Sequence, residues 1–353
     1  MHIITCEQVS NGHPDKICDQ IADAIVTDVL NHDRDARVAA EVMIKGNQII
    51  IGGEISSSYT PSYKELVRDV FEQIGLERLG YEDLVFDIHI LMDRQSPDIA
   101  LGVDRGGAGD QGMMFGYATN ETPQLLPIPF VLATKFLEIL KNHPSHMFRA
   151  DAKAQVSFDY DSGRITTFLC SVQHSADVEP ADFRHIIEAM MVLTAARLGL
   201  NTDFEKLVNP TGRFVIGGSF ADCGVTGRKL ACDTYGSVGH IGGGAMSGKD
   251  PTKVDRSGAY MARKIARDIV SAGYADKCEV QIAYAIGVAE PVSINVECFG
   301  TEQQDIGFIE AYVRENYDMT PRGIIDSLRL RDVDYNAVSA YGHFGKPALP
   351  WEE

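Results

Sequence analysis

Several short stretches of this chain combine glycine with charged side chains in ways that suit an anionic ligand. His13-Pro14-Asp15 marks a helix start: proline is well tolerated at the first helical position, and an acid in the first turn meets the positive end of the helix dipole. His13 at that place is a cap, or a group that reaches a phosphate. Asp222-Cys223-Gly224-Val225-Thr226-Gly227 ends in Arg228-Lys229, a fork-shaped donor followed by a point charge. Gly243-Gly244-Ala245-Met246-Ser247-Gly248-Lys249 fits G-x-x-x-x-G-K. Asp250 stands where a P-loop needs Ser or Thr, so the motif is not a Walker A loop, yet open backbone N–H groups beside a lysine still suit a polyphosphate. Lys249, Lys253 and Asp255 lead into a later helix much as His13 and Asp15 lead into the first. Two acids so placed can share Mg2+ with phosphate oxygens, because that ion takes only one or two protein carboxylates. The formal G-x-G-x-x-G at 107–112 has no strand leading into it and no βαβ unit around it, which argues against a dinucleotide fold.

The elements that must position these groups recur three times as a leading helix, a hairpin and a trailing helix. Leading helices are expected over 13–30, 128–141 and 255–271, hairpins over 37–56, 153–174 and 278–300, and trailing helices over 63–76, 180–200 and 303–316. In the first helix Ile17, Ile21, Ala24, Ile25 and Val29 share a face. Asp15, Asp19 and Asp23 form an i, i+4 stripe on another, and for Asp19 and Asp23 the plain expectation is a solvated face. The order implies an α+β fold of three similar, pseudo-threefold units, each a mostly antiparallel sheet with helices on one face, with boundaries near 1–97, 106–215 and 216–353 and strands that can cross between units.

A net charge of -18 disfavours nucleic acid and anionic membranes as partners. Within 213–264, however, eight Lys/Arg face four Asp/Glu, and eleven of the 33 glycines fall in the same window. A basic surface loop accounts for the charge alone; crowded glycine points instead to backbone that must approach a ligand closely. Seven scattered cysteines without a C-x-x-C pair read as reduced thiols. With no spanning segment and no leader pattern, a cytoplasmic location is expected.

Gly12-His13-Pro14-Asp15-Lys16, the 107–122 run, Asp151-Ala152-Lys153, Asn209-Pro210-Thr211-Gly212-Arg213-Phe214, and the stretches 222–229, 242–257 and 340–345 together resemble the methionine adenosyltransferase family, whose members have three similar domains. The resemblance implies that the sulfur of L-methionine attacks C5′ of ATP, and that the displaced triphosphate is hydrolysed to pyrophosphate and phosphate. It gives His13, Lys153, Arg228 and Lys249 the catalytic phosphate contacts. Asp151, Arg213, Phe214, Asp222, Lys229 and Ala245 complete the ATP site, with Phe214 on adenine. Glu54, Gln95, Asp110, Asp222 and Lys253 would surround methionine. Asp15 and Asp255 would hold Mg2+, two ions per site, and Glu41 would hold K+. Active sites between subunits are implied, hence a homodimer or dimer of dimers. The 95–107 loop, a cover over the site in that family, is shorter here. Two other readings use the same residues: an ATP-dependent kinase or ligase, which would release ADP or AMP, and a nucleotide sensor, which would turn nothing over.

Overall fold

The computed structural model describes residues 2–94 and 106–353. Strands β1 (Ile3–Val9), β2 (Arg37–Lys45), β3 (Gln48–Ser56), β4 (Asp87–Asp93), β5 (Gly112–Thr119), β6 (Phe148–Asp159), β7 (Arg164–His174), β8 (Glu205–Val208), β9 (Gly224–Val225), β10 (Lys277–Tyr284) and β11 (Ser293–Glu297) form three sheets. The principal helices are α1 (Pro14–His32), α2 (Tyr63–Ile74), α3 (Ile128–Lys141), α4 (Pro180–Arg197), α5 (Val254–Ser271) and α6 (Ile306–Asn316). All nine helices and hairpins expected from periodicity are present within a few residues of the anticipated bounds.

Each sheet is built from one unit's hairpin and a strand lent by another. The orders are β4-β3-β2-β9, β1-β6-β7-β8 and β11-β10-β5. Thus β9 from the last third pairs antiparallel with β2, β1 from the first third with β6, and β5 from the middle third with β10. Parallel pairs occur at β3–β4 and β7–β8. The leading helix of each unit then packs across its own first hairpin strand and the lent one: α1 on β2 and β9, α3 on β6 and β1, α5 on β10 and β5.

Two of the lent strands carry a glycine at the point where the helix presses hardest. A Cβ on Gly116 of β5 would stand 2.0 Å from the Ala262 carbonyl of α5, and one on Gly224 of β9 would stand 2.2 Å from the Pro14 carbonyl of α1. At both positions the absence of a side chain sets the distance between helix and sheet. First and last units share one apolar core, which includes Ile17, Val42, Ile265 and Val280; the middle unit has its own around Phe136, Val156, Phe168 and Met191.

Gly116→Ala should therefore lower the unfolding free energy in urea by about 1–3 kcal/mol, the usual cost of forced overpacking. Gly243→Ala, where a Cβ meets open space, should stay within about 0.5 kcal/mol of wild type. Equal effects would show that the close approach is not what holds the lent strand.

Candidate active site

Strand exchange delivers the charged residues. β1 runs antiparallel to β6 until Val9 lies opposite Lys153, and the chain then passes through Gly12, packed on Ala150, into α1. His13, four residues beyond Val9, is thereby carried to the Asp151–Lys153 end of the middle sheet. His13 caps α1: its Nδ1 accepts the Asp15 N–H at 3.2 Å. With Nδ1 accepting, the neutral ring keeps its proton on Nε2, a donor for an oxyanion. Burial, reinforced by the nearby Lys229 and Lys153 ammonium groups, drives the His13 pKa down from 6.5 to about 3, so the ring is neutral at physiological pH.

Two-residue β9 does the same for the second segment. Pairing with Met43 and Ile44 brings 222–229 across the start of α1. Lys229 Nζ donates to Asp15 Oδ2 at 2.6 Å, Val225 N–H donates to Asp15 Oδ1 at 2.9 Å, and Arg228 Nε lies 4.0 Å from the same oxygen. Burial alone would raise the Asp15 pKa, but Lys229 and the Val225 N–H outweigh it and hold the carboxyl below its ordinary range. Asp222 is exposed at the rim, its charge close enough to be felt by His13 and Asp151. Asp151 is buried, accepts the Gly218 N–H at 2.8 Å through Oδ2, and leaves Oδ1 without a partner. Burial lifts its pKa to about 6. His13, Asp15, Asp151, Lys153, Asp222, Arg228 and Lys229 thus gather in one place.

A second group surrounds the start of α5. Lys249 Nζ donates to Asp255 Oδ2 at 2.6 Å, while Gly244 lies so close to the Asp255 carboxylate that a Cβ there would stand 2.1 Å away. Lys249 bridges to Ala39 of β2, whose partner on the other side is exposed Glu54 of β3, so Ala39 lies between the two. Asp110 precedes β5, whose Gly112 faces Asp255. Lys253 occupies the position just before α5 and pairs with buried Asp250. Ala245 touches Gly227, so the two glycine-rich loops meet there. Arg213 is exposed and Phe214 half-buried on the loop after β8, and Glu41 is exposed on β2. Gln95 lies outside the described residues.

Asp19 and Asp23 correct the expectation of a solvated stripe: both are fully buried. Asp19 Oδ1 accepts the Gly227 N–H at 2.8 Å, and Asp23 Oδ1 accepts the Gly248 N–H at 2.9 Å. Thr27, the next rung, accepts the Tyr335 N–H at 3.0 Å. Counter-ions match: Lys16 lies between Asp19 (2.8 Å) and Asp233, and Arg256 pairs with Asp23. The burial of Asp250, whose Oδ2 accepts the Val38 N–H at 2.7 Å, explains why an acid occupies the P-loop serine position. Spacing showed these residues; what it could not show was that a distant segment covers them.

A metal ion fits this donor chemistry. Among the described residues no three His, Cys, Asp or Glu side chains converge as a cage. Asp15 and Asp255 instead offer one hard oxygen ligand each, already turned toward a cation, the lysine ammonium, as suits Mg2+ that keeps phosphate and water ligands.

Comparison with known proteins decides among the readings. Three family profiles match in order: S-adenosylmethionine synthetase, N-terminal domain, over residues 1–97; central domain, over 105–214; and C-terminal domain, over 216–353. The chain belongs to the S-adenosylmethionine synthetase family. It is 46% identical over 365 aligned positions to the S-adenosylmethionine synthase of Mycoplasma mycoides subsp. mycoides SC and, to the same degree, to that of Mycoplasma capricolum subsp. capricolum; each alignment covers 99% of this chain and 94% of the relative. Family membership favours the adenosyltransferase reading over the kinase, ligase and sensor readings. Among the described residues no helix is long and apolar enough to cross a membrane.

Asp19→Ala should lower the unfolding free energy by about 1.5–3 kcal/mol, the usual contribution of a hydrogen bond to a charged acceptor, and should lower turnover as well because the loop of Gly227 loses its anchor. Asp19→Asn, which keeps an oxygen for Gly227, should recover most of each loss. Equal losses in the two variants would mean that the acceptor is not what matters. For His13, a folded pKa near 3 against 6.5 unfolded means that its share of stability is present above pH 6.5 and is lost as pH falls toward 3. The wild-type stability should decline through that window more steeply than that of His13→Asn, by up to about 1.4 kcal/mol per pH unit; parallel curves would refute the depressed value.

Proposed function

We propose that the pocket makes S-adenosylmethionine by attack of the methionine sulfur on C5′ of ATP, with the displaced triphosphate then split into pyrophosphate and phosphate. The observation that carries this reading is the convergence of neutral, buried His13 with Lys153, Arg228 and Lys229 around Asp15. A thioether has no proton to lose, so the attack needs no general base. The barrier lies in the departing polyanion, and stabilising developing charge with preorganised donors is commonly the largest catalytic contribution. At an effective dielectric near 20, one charge pair at 4 Å is worth about 4 kcal/mol. His13 serves as an uncharged donor from Nε2, Lys153, Arg228, Lys229 and Lys249 as charged ones. Phe214 packs on adenine beside Arg213, Asp151 and Ala245. Glu54, Gln95, Asp110, Asp222 and Lys253 surround methionine.

Asp15 and Asp255 would hold Mg2+, with Glu41 as the K+ contact; Mg2+ there would neutralise phosphate charge. Lys229 and Lys249 pair with those same carboxylates, which sets each ammonium beside the oxygen that would meet the metal-bound phosphates. The His13 and Lys249 groups stand at different levels of α1. Asp15 and Asp23, which anchor their loops, are eight residues or about 12 Å apart along the helix. We place them in composite sites, the His13 group of one subunit completed by the Lys249 group of its partner in a homodimer or a dimer of dimers, in the cytoplasm.

Incubation with ATP, methionine, Mg2+ and K+ should yield S-adenosylmethionine, pyrophosphate and phosphate; ADP or AMP without a sulfonium product would overturn the assignment. For the composite site, His13→Asn and Lys249→Ala chains, each nearly inactive, should regain about a quarter of wild-type activity when co-assembled, because each mixed dimer restores one intact site. Failure of verified mixed dimers to regain any activity would place both groups in one subunit's site.

A further inference from the structure

We propose that His174 is a positioning residue for the adenine end of the pocket, acting through Phe214; this rests on the reading of Phe214 as the adenine contact. His174 is the last residue of β7 and is buried. It holds both backbone polar groups of Phe214. Its main-chain N–H donates to the Phe214 carbonyl at 2.9 Å, and its Nε2 accepts the Phe214 N–H at 3.1 Å. The other ring nitrogen lies 2.9 Å from the Ser175 carbonyl, which can only accept, so Nδ1 carries the proton and Nε2 keeps the lone pair that Phe214 needs. The ring plane is set by Phe183, whose centroid is 5.0 Å away.

The same segment is held at successive residues. Gln173 Nε2 donates to the Val215 carbonyl at 3.0 Å and lies under Gly217, where a Cβ would stand 2.5 Å from the Gln173 amide carbon. Asp151 accepts from Gly218, and Tyr81 bonds both the N–H and the hydroxyl of Ser219. The loop that carries Phe214 is therefore fixed by the ends of β6 and β7 and by Tyr81, while His13, Arg228 and Lys249 are positioned through α1. Base recognition is anchored on β7 through His174 and Gln173, and Asp151 and Lys153 of β6 are the phosphate-side residues that share this sheet. A substitution at His174 or Gln173 should then leave the phosphate chemistry largely in place.

Inorganic tripolyphosphate supplies the probe, since it carries the phosphates without the base. In His174→Leu the KM for ATP should rise about tenfold, equivalent to about 1.4 kcal/mol, with kcat and the KM for methionine changing much less. Cleavage of tripolyphosphate should fall less than twofold. His174→Gln, whose amide oxygen can take the place of Nε2, should bring the KM for ATP back to within about threefold of wild type, as expected for a retained acceptor. An unchanged KM for ATP in His174→Leu, or equal losses with ATP and tripolyphosphate, would overturn the proposal. Should that variant fail to fold, Gln173→Met, which removes the donor to Val215, carries the same expectation and the same refutation. Phe214→Ala is the separate control: no effect on the KM for ATP there would sink the adenine contact itself, whatever His174 does.

Discussion

One face of α1 governs where the chemistry can occur. At intervals of four residues Asp15, Asp19, Asp23 and Thr27 present side-chain oxygens, and each takes a backbone N–H from the last third of the chain: Val225, Gly227, Gly248 and Tyr335. Carboxylates without water are costly unless paired and hydrogen-bonded. Here Lys229, Lys16 and Arg256 supply the charge, and the loop amides supply donors of fixed geometry. The result is a rigid register between a helix and two glycine-rich loops that have few side chains of their own to hold them. Glycine makes this possible, since the backbone must come within hydrogen-bond distance of the helix at Gly227 and Gly248, both with positive φ.

The lent strands complete the arrangement. Each adjoins a functional segment: β1 ends before His13, β9 ends beside Arg228 and Lys229, and β5 begins just after Asp110. A self-contained unit would have kept these segments apart. Exchange places residues from all three thirds around common loops, and the glycines at 116 and 224 let helices sit directly on the borrowed strands. The motif at 340–345 ties the approach to α1 to α5, with Tyr341 donating to Asn11 at 2.9 Å and buried His343 bonded to Tyr260 of α5 at 2.8 Å.

Much of this was legible in the sequence. Helical periodicity marked α1, α3 and α5, and the Lys45-Gly46-Asn47 and Asp161-Ser162-Gly163 turns marked hairpins, because those signals are local. The partners of β1, β5 and β9 were not, since β9 has only two residues and nothing near β1 announces β6 as its neighbour. The same limit misjudged Asp19 and Asp23: spacing identifies a polar face, but whether water or a loop from two hundred residues away covers it depends on tertiary packing. His13, Asp15, Arg228 and Lys229 were recognised by type and context, whereas Asp250 and His174 act through backbone contacts that leave no trace in composition.

Amide hydrogen exchange tests the register most directly. In the wild-type protein the Gly227 and Gly248 amides should exchange slowly although they lie in loops, and Asp19→Ala should release Gly227 while leaving Gly248 protected. Fast exchange of both amides in the wild type, or loss of protection throughout the chain in the variant, would contradict the account.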